Sequence, residues 1–319
     1  MVTIISVARR SAVLTPSALA CLARTPTINL TAGCAHGCIY CYTRGYTNNP
    51  GADKVLLYAN TLGKLEDELA RKRTKPDAVY FSPSRDLFQP LAEVLELGHR
   101  ILEVLFSNGI GVAFLTKGLI PDRTMRLLLN NRDRVSAQVG IITINEDVRR
   151  IFEPNAANIQ ERLRQIAALT AGGIPTEARL DPILPGITDT PEALRDLFSA
   201  LSIAGVTHAA ASALFLRPAV MESLKRNVRD ERLLQCLLGY YTETTRLAIR
   251  AERSSVVALQ HVLREEIYAA VRCAAGENGI GVSICGCKNP DLARGACNIG
   301  GAWPRRPSAS AQGSLFDVK

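Results

Sequence analysis

Apolar and polar positions along this chain alternate between two periods. Between Thr61 and Arg73, Leu62, Leu65 and Leu69 fall on one face at helical spacing, and Pro76-Asp77 closes the segment. Ala78-Val-Tyr-Phe-Ser82 is then a short run of strand formers. The exchange repeats. Strands are predicted at Gly111 to Thr116, Val135 to Thr143, Thr176 to Leu180 and Thr207 to Leu216. Helices are predicted from the Pro83 to Pro90 loop to about Asn108, and at Asp122 to Asn131, Asn158 to Ala171 and Pro191 to Ala204. Ahead of this series, Pro26 to Thr31 reads as a strand ending in Ala32-Gly33.

Strands separated by helices at this spacing predict an α/β fold with a parallel sheet wound by right-handed crossovers. Six such units precede Arg217. Beyond them, Met221 to Arg250 reads as helical, with Leu233, Leu234, Leu237 and Leu238 as core. Val256 to Leu259 reads as a strand, Arg264 to Gly276 as a helix and Gly281 to Ile284 as a strand. The expected organisation is a lead-in over 1–24, a βα unit array over 25–218, a C-terminal α/β extension over 219–303 and a disordered tail over 304–319, rich in Arg, Pro, Ser, Ala and Gly.

Composition narrows the class. At 319 residues with 47% hydrophobic side chains there is ample material for a buried core. Ser11, Thr15, Pro16 and Ser17 interrupt the early apolar run, which argues against a signal peptide, and no apolar run is long enough to span a bilayer. Nine cysteines in a chain of this size, several at metal-ligand spacing, predict a reducing, cytoplasmic setting. The net charge of +8 favours a polyanionic partner such as DNA as much as it fits a generic basic enzyme.

The strongest chemical signal is Cys34-Ala-His-Gly-Cys38-Ile-Tyr-Cys41, placed where the first strand ends. Parallel α/β folds collect their active sites at carboxyl ends of strands. Three thiols cannot complete a 4Fe-4S cluster, which takes four cysteine ligands, so one iron would stay open for another molecule. A zinc site that includes His36 is the alternative. A second group, Cys285, Cys287 and Cys297, predicts a second iron-sulfur cluster or a zinc ion, with Cys273 or a non-protein ligand as fourth partner. Hydrogen donation by one free thiol is the other role open to it. Cys21 and Cys236, in apolar surroundings, read as plain buried thiols.

The CxxxCxxC loop with aromatic Tyr40 before its last cysteine resembles the radical S-adenosylmethionine (SAM) superfamily. From about Ser11 to Arg217 the chain further resembles its spore photoproduct lyase-like branch, often labelled DNA repair photolyases. The resemblance rests on Ser82-Pro-Ser-Arg-Asp86-Leu-Phe-Gln89-Pro90, Thr116-Lys117, Glu153-Pro154 ahead of Arg162, Pro182-Ile-Leu-Pro-Gly186 and Leu216-Arg217-Pro218. It implies a partial (β/α)6 barrel, a 4Fe-4S cluster on Cys34, Cys38 and Cys41, and SAM chelated at the open iron. Reductive cleavage of SAM would give a 5′-deoxyadenosyl radical, with electrons from a donor such as flavodoxin or ferredoxin. Carried over residue by residue, Ser84 and Asp86 would line the SAM and substrate cleft as catalytic residues. Lys117 would reach the methionine carboxylate, and Tyr40 and Arg217 would join the cofactor site.

Each residue also has a plainer reading. Asp86 could cap the next helix, Lys117-Gly118 could be an exposed turn, and Glu153 with Arg162 could be a structural ion pair. In spore photoproduct lyases a cysteine in the loop after strand two returns a hydrogen atom to the thymine radical; here Pro83 or Ser84 stands near that place. The expectation is therefore a radical SAM enzyme acting on a nucleic acid lesion or base. The alternatives are radical modification of a peptide or small metabolite, and a non-catalytic metal-binding module recruited to DNA.

The tail ends in Gln312-Gly-Ser-Leu315-Phe316, similar to the bacterial sliding-clamp-binding motif. A Leu-Phe anchor buries apolar area, so its binding should respond weakly to salt, unlike contact with DNA. Leu315→Ala with Phe316→Ala should cost about 2 kcal/mol or more of clamp affinity and leave DNA binding unchanged. Titrating wild type and double mutant against clamp and DNA at two salt concentrations checks this.

Overall fold

The computed structural model describes residues 2–249, 254–292, 301 and 303. In chain order the elements are β1 (Thr3–Val7), β2 (Thr27–Ile28), β3 (Thr31–Ala32), β4 (Lys54–Tyr58), α1 (Thr61–Arg71), β5 (Ala78–Phe81), α2 (Ala92–Ser107), β6 (Gly111–Thr116), α3 (Asp122–Asn130), β7 (Val135–Gly140), α4 (Glu146–Phe152), α5 (Ile159–Ala171), β8 (Thr176–Ile183), α6 (Pro191–Ile203), β9 (His208–Ala213), α7 (Pro218–Asn227), α8 (Glu231–Gly239), β10 (Thr244–Ile249), β11 (Ser254–Leu259), α9 (His261–Gly276) and β12 (Gly281–Ile284).

The main sheet runs β12-β9-β8-β7-β6-β5-β2, and every pairing in it is parallel. Successive strands lie side by side, which is the winding of a barrel rather than of a doubly wound sheet. The described strands form a partial barrel, the α/β class expected from the alternation. Its two faces follow from the period of two along each strand. Val79 and Phe81, Val112 and Phe114, Val135, Ala137 and Val139, Ala178 and Leu180, and Ala209 and Ala211 join the core beneath the helices. The residues between them, among them Tyr80, Ala113, Ser136, Gln138, Arg179, Asp181 and Ser212, take the opposite face. There Tyr80 and Ala113 pack with Leu22, Cys21 and Trp303, so the lead-in and a residue near the chain end cover part of the inner face.

Several boundaries differ from expectation. The first predicted strand divides: β2 pairs with β5 in the barrel, while β3 turns away to pair antiparallel with β4, beside β1. The Met221 to Arg250 helix is instead α7 and α8 followed by β10. Asp230 starts α8 by accepting hydrogen bonds from Arg232 N (2.9 Å) and Leu233 N (3.1 Å). The Thr-rich run from Thr244 then pairs antiparallel with β11. The predicted strand at Gly281 to Ile284 is β12, which extends the main sheet beside β9.

A buried polar network anchors the chain beyond β12. Asn289 Oδ1 accepts from Tyr268 Oη (2.8 Å) and Arg264 Nη1 (3.3 Å), Asn289 Nδ2 donates to Cys285 O (3.2 Å), and Arg264 grips Asp291 with two bonds of 3.0 and 2.6 Å. The segment carrying Cys285, Cys287 and Lys288 is thereby held against α9 and the end of β9.

Where β6 ends, Gly118 is buried against the loop after β5. A Cβ there would stand 1.8 Å from Phe88 O and 2.6 Å from its carbonyl carbon, and neither is a flexible side-chain end. Gly118→Ala should therefore cost about 3 kcal/mol or more, measured as a drop in the urea midpoint at unchanged m-value.

Candidate metal and cofactor site

The cysteine loop leaves β3 through Gly33, whose φ of +87° and whose approach to Lys54 O, 2.5 Å from a would-be Cβ, exclude any larger residue. The loop is tied down from three sides. Ala35 N donates to Gln89 Oε1 (2.9 Å) from the β5 loop. Ile39 N donates to Phe152 O (3.0 Å), and Asn155 Nδ2 donates to Ala35 O (3.0 Å). Arg44 holds the carbonyls of Gly37 (2.8 Å) and Cys38 (3.1 Å).

Cys34, Cys38 and Cys41 border a single cleft of about 220 Å³ whose far wall is α7, including Ala219, Ser223 and Arg226. Among the described residues no three potential ligands converge on one metal-binding point, and Cys41 Sγ lies 3.0 Å from Thr43 Oγ1. The donor set nevertheless fits a cluster: three soft sulfurs on one short loop, opening on one space, with no fourth thiol in the loop. Burial raises the Cys34 thiol well above its ordinary value, and burial beside Glu153 raises Cys38 to about 12. Loading these thiols would therefore release protons.

His36 lines the same cleft, but its ring is held by other groups. Its Nε2 lies 2.9 Å from Asp86 Oδ2 and its Nδ1 3.3 Å from Asn155 O. Both ring nitrogens thus have hydrogen-bond partners.

Asp86 does not cap α2, whose N-cap is Leu91. Its carboxylate accepts from Phe88 N (2.8 Å) and Thr116 Oγ1 (2.8 Å) on one oxygen, and from Lys117 N (2.7 Å) and His36 on the other. Burial disfavours its charge, yet His36 and the backbone donors outweigh that and lower its pKa. Asp86 thus ties the cluster loop to the ends of β5 and β6. Ser84 is half-buried nearby, just after Ser82, a non-glycine residue at φ +53°.

A second buried hub lies beside the loop. Tyr40 Oη donates to Glu153 Oε1. Lys117 Nζ lies 2.7 Å from Tyr40 Oη, 2.8 Å from Glu153 Oε1 and 3.3 Å from Asp181 O. All three ammonium hydrogens are engaged in this state. Arg162 Nη1 stands 2.5 Å from Glu153 Oε2, a contact of charges rather than an aligned bond, since Nη1 donates to Gly140 O (2.9 Å) and Glu153 Oε2 has no hydrogen-bond partner among the described residues. Burial opposes ionisation of Glu153, but Lys117 and Arg162 prevail and hold it at about 2.

Arg217, the N-cap residue of α7, lies with its guanidinium carbon 6.0 Å from the Tyr42 ring, and Lys288 Nζ is 5.9 Å from the same ring. Lys288 also pairs with Asp181 at 2.6 and 2.7 Å. Sequence reading missed Asp181, Gln89 as a loop anchor, Asn155 and Lys288. Gln89 stood inside a quoted motif, whereas Lys288 had only its place next to Cys287 as a signal.

The C-terminal thiols depart from expectation. Cys285 is buried at the end of β12, and Cys287 Sγ donates to Cys21 Sγ at 3.5 Å. Cys21 is therefore not a plain core thiol but a half-buried neighbour of this group, and Cys236 is exposed on α8. Cys273, one of the two fourth partners considered beside a non-protein ligand, is exposed on α9 with its thiol on Glu277 (3.7 Å). Hydrogen bonding to Cys21 and Cys285 raises the Cys287 pKa, while the bond from Cys287 lowers that of Cys21. Cys297, and Gln312, Leu315 and Phe316 of the tail, lie outside the described residues.

Residues 28–201 match the model of the radical SAM superfamily, more than half of the chain, and the chain belongs to that superfamily. Membership implies a 4Fe-4S cluster and SAM as cofactors. "Uncharacterized protein Rv2578c" of Mycobacterium tuberculosis is 30% identical over 200 residues, covering 60% of this chain and 59% of that protein. The "Radical SAM Nalpha-GlyT isomerase" of Pseudomonas phage M6 is 28% identical over 204 residues, covering 62% of this chain and 42% of the isomerase. The chain thus matches less than two thirds of the length of these relatives. Among solved structures, spore photoproduct lyase complexed with dinucleoside spore photoproduct superposes with a TM-score of 0.63 at 14% identity, covering 89% of this chain and 82% of the other. That likeness shows a shared fold. Among the described residues no helix is long and apolar enough to cross a membrane.

Replacing Glu153 by Gln should leave Arg162 buried without its counterion and cost about 3 kcal/mol or more. A carboxyl held at about 2 against an ordinary 4.5 stabilises the fold above 4.5 and loses that contribution as pH falls toward 2. The stability gap between wild type and Glu153→Gln, measured by denaturant melts, should narrow over that acid range.

Proposed function

We propose that this protein is a radical SAM enzyme acting on a base or base lesion of nucleic acid. The observation that carries the reading is the rim beside the cysteine loop. Tyr42 and Tyr46 pack edge to face at 5.7 Å, with Arg217 and Lys288 about Tyr42 and Arg85 6.0 Å from the Tyr46 ring. Aromatic faces interleaved with cations suit stacked bases and phosphates. The net charge of +8 and a fold shared with a lyase of DNA photoproducts agree with it.

In this reading Cys34, Cys38 and Cys41 hold the cluster, and Tyr40, Ser84, Asp86, Lys117 and Arg217 frame the SAM and substrate cleft. Bound cluster and SAM supply a 5′-deoxyadenosyl radical for hydrogen abstraction. The chain's own residues position that chemistry. Asp86 locks the loop to β5 and β6, and Glu153 fixes the height of Lys117 beside Tyr40. Asp181 draws Lys288 across the inner face. The loop after β5 offers Pro83 and Ser84 instead of a thiol, so a rearrangement of the kind named for the phage relative fits the site as well as a lyase reaction does.

After anaerobic reconstitution with iron and sulfide, the wild type should form 5′-deoxyadenosine on reduction, faster with ultraviolet-irradiated DNA than without DNA. The Cys34→Ala, Cys38→Ala, Cys41→Ala triple mutant should form none. A protein that binds only zinc, or one stimulated by peptides and indifferent to DNA, would overturn the reading.

A further inference from the structure

Arg85 is a buried cation with no counterion among the described residues. It lies in the loop after β5 and is 7% exposed. Among the described residues no carboxylate comes within 4.0 Å of its guanidinium. Arg149, Arg162, Arg179 and Arg264, all similarly buried, each face one: Glu146, Glu153, Asp181 and Asp291; Arg9, far from the rim, also lacks one but gives two bonds to the carbonyls of Ala12 and Asn29. The hydrogen bonds of Arg85 are also incomplete. Nη1 donates to Ser84 O at 2.6 Å, Nη2 reaches Asn48 Oδ1 only at 3.5 Å, and Nε has no partner among the described residues. A guanidinium removed from water without charge compensation is costly, and a donor left unmade adds to that cost. The arrangement is that of a receptor for an anion that arrives from outside the chain.

We infer that Arg85 receives a phosphate of the nucleic acid substrate, at the point where the strand enters the active-site mouth. This rests on the nucleic acid reading of the site. The guanidinium fork matches two phosphate oxygens, and the long Asn48 contact is the one that a phosphate oxygen replaces. A backbone phosphate is favoured over a free carboxylate because Arg85 lies against Tyr46, in the same rim as the Tyr42 ring. Of the other cations at that rim, Lys288 is already answered by Asp181 and Arg217 lies over the Tyr42 ring, whereas Arg85 stands at Tyr46. Its position follows from the sequence: it directly precedes Asp86, whose four bonds hold the loop in place.

The test uses the reconstituted full chain and a fluorescein-labelled single-stranded oligothymidylate, comparing wild type, Arg85→Gln and Arg85→Lys. Arg85→Gln should weaken binding roughly tenfold, as expected for one charge-assisted contact, and lower the slope of log K against log salt by roughly 0.7. Arg85→Lys should keep the slope and recover part of the affinity. Without nucleic acid, Arg85→Gln should melt no lower than wild type, since it removes a charge that the free protein does not compensate; a purely structural arginine would give a clear drop in Tm. Wild-type binding that Arg85→Gln leaves unchanged in affinity and slope would overturn the assignment alone. A variant that binds the oligonucleotide normally and has lost SAM in equilibrium dialysis would do the same and move Arg85 to the cofactor. A wild type that binds no oligonucleotide would remove the nucleic acid reading and this inference together.

Discussion

The carboxylate of Glu153, buried between two cations, is the interaction on which the rest of the site depends. One oxygen accepts hydrogen bonds from the Tyr40 hydroxyl of the cysteine loop and from the ammonium of Lys117 at the end of β6; the other faces Arg162 of α5. Lys117 in turn reaches the backbone of Asp181 on β8. A single negative charge therefore sets the spacing of four segments far apart in sequence. Desolvating three ionic groups brings little net stability, because their attraction mainly repays the cost of leaving water. What it provides is a geometry that cannot relax, since moving any member strands another charge in a medium of low dielectric.

Asp86 does comparable work with hydrogen bonds in place of ion pairs. Four donors from three segments converge on it, so its role in the free protein is to align His36 and the ends of β5 and β6. The two hubs flank the cysteine loop, one on each side. A loop that must hold a metal group at a fixed place needs such support, because its own backbone has few internal hydrogen bonds.

The barrel's inner face gives the site its polarity. The helix-facing side of each strand is aliphatic or aromatic, while the inner side carries Gln138, Arg179, Asp181 and Ser212. Two distant parts of the chain close over that face: Leu22 and Cys21 of the lead-in, and the segment after β12 with Cys287 and Lys288. Residues that read as an N-terminal lead-in and a C-terminal extension thus meet at the same surface.

The sequence alone determined the α/β alternation, most helix and strand positions from Thr61 to Ile203, and the CxxxCxxC loop at a strand end. These are local properties: periodicity, turn chemistry and ligand spacing are written into neighbouring residues. It also pointed to Asp86 and Lys117 by their place at strand ends, and to Tyr40, Glu153 and Arg162 through the family resemblance. Their partners were decided by the tertiary structure. The separation of Glu153 from Tyr40, of Lys288 from Asp181 and of Cys287 from Cys21 along the chain leaves no periodic trace. Local propensity likewise failed at Met221 to Arg250, where pairing with β11 turned the end of an expected helix into a strand. That Arg85 meets no counterion among the described residues was equally invisible, since only packing shows that Asp86 is committed to His36, Thr116 and the backbone.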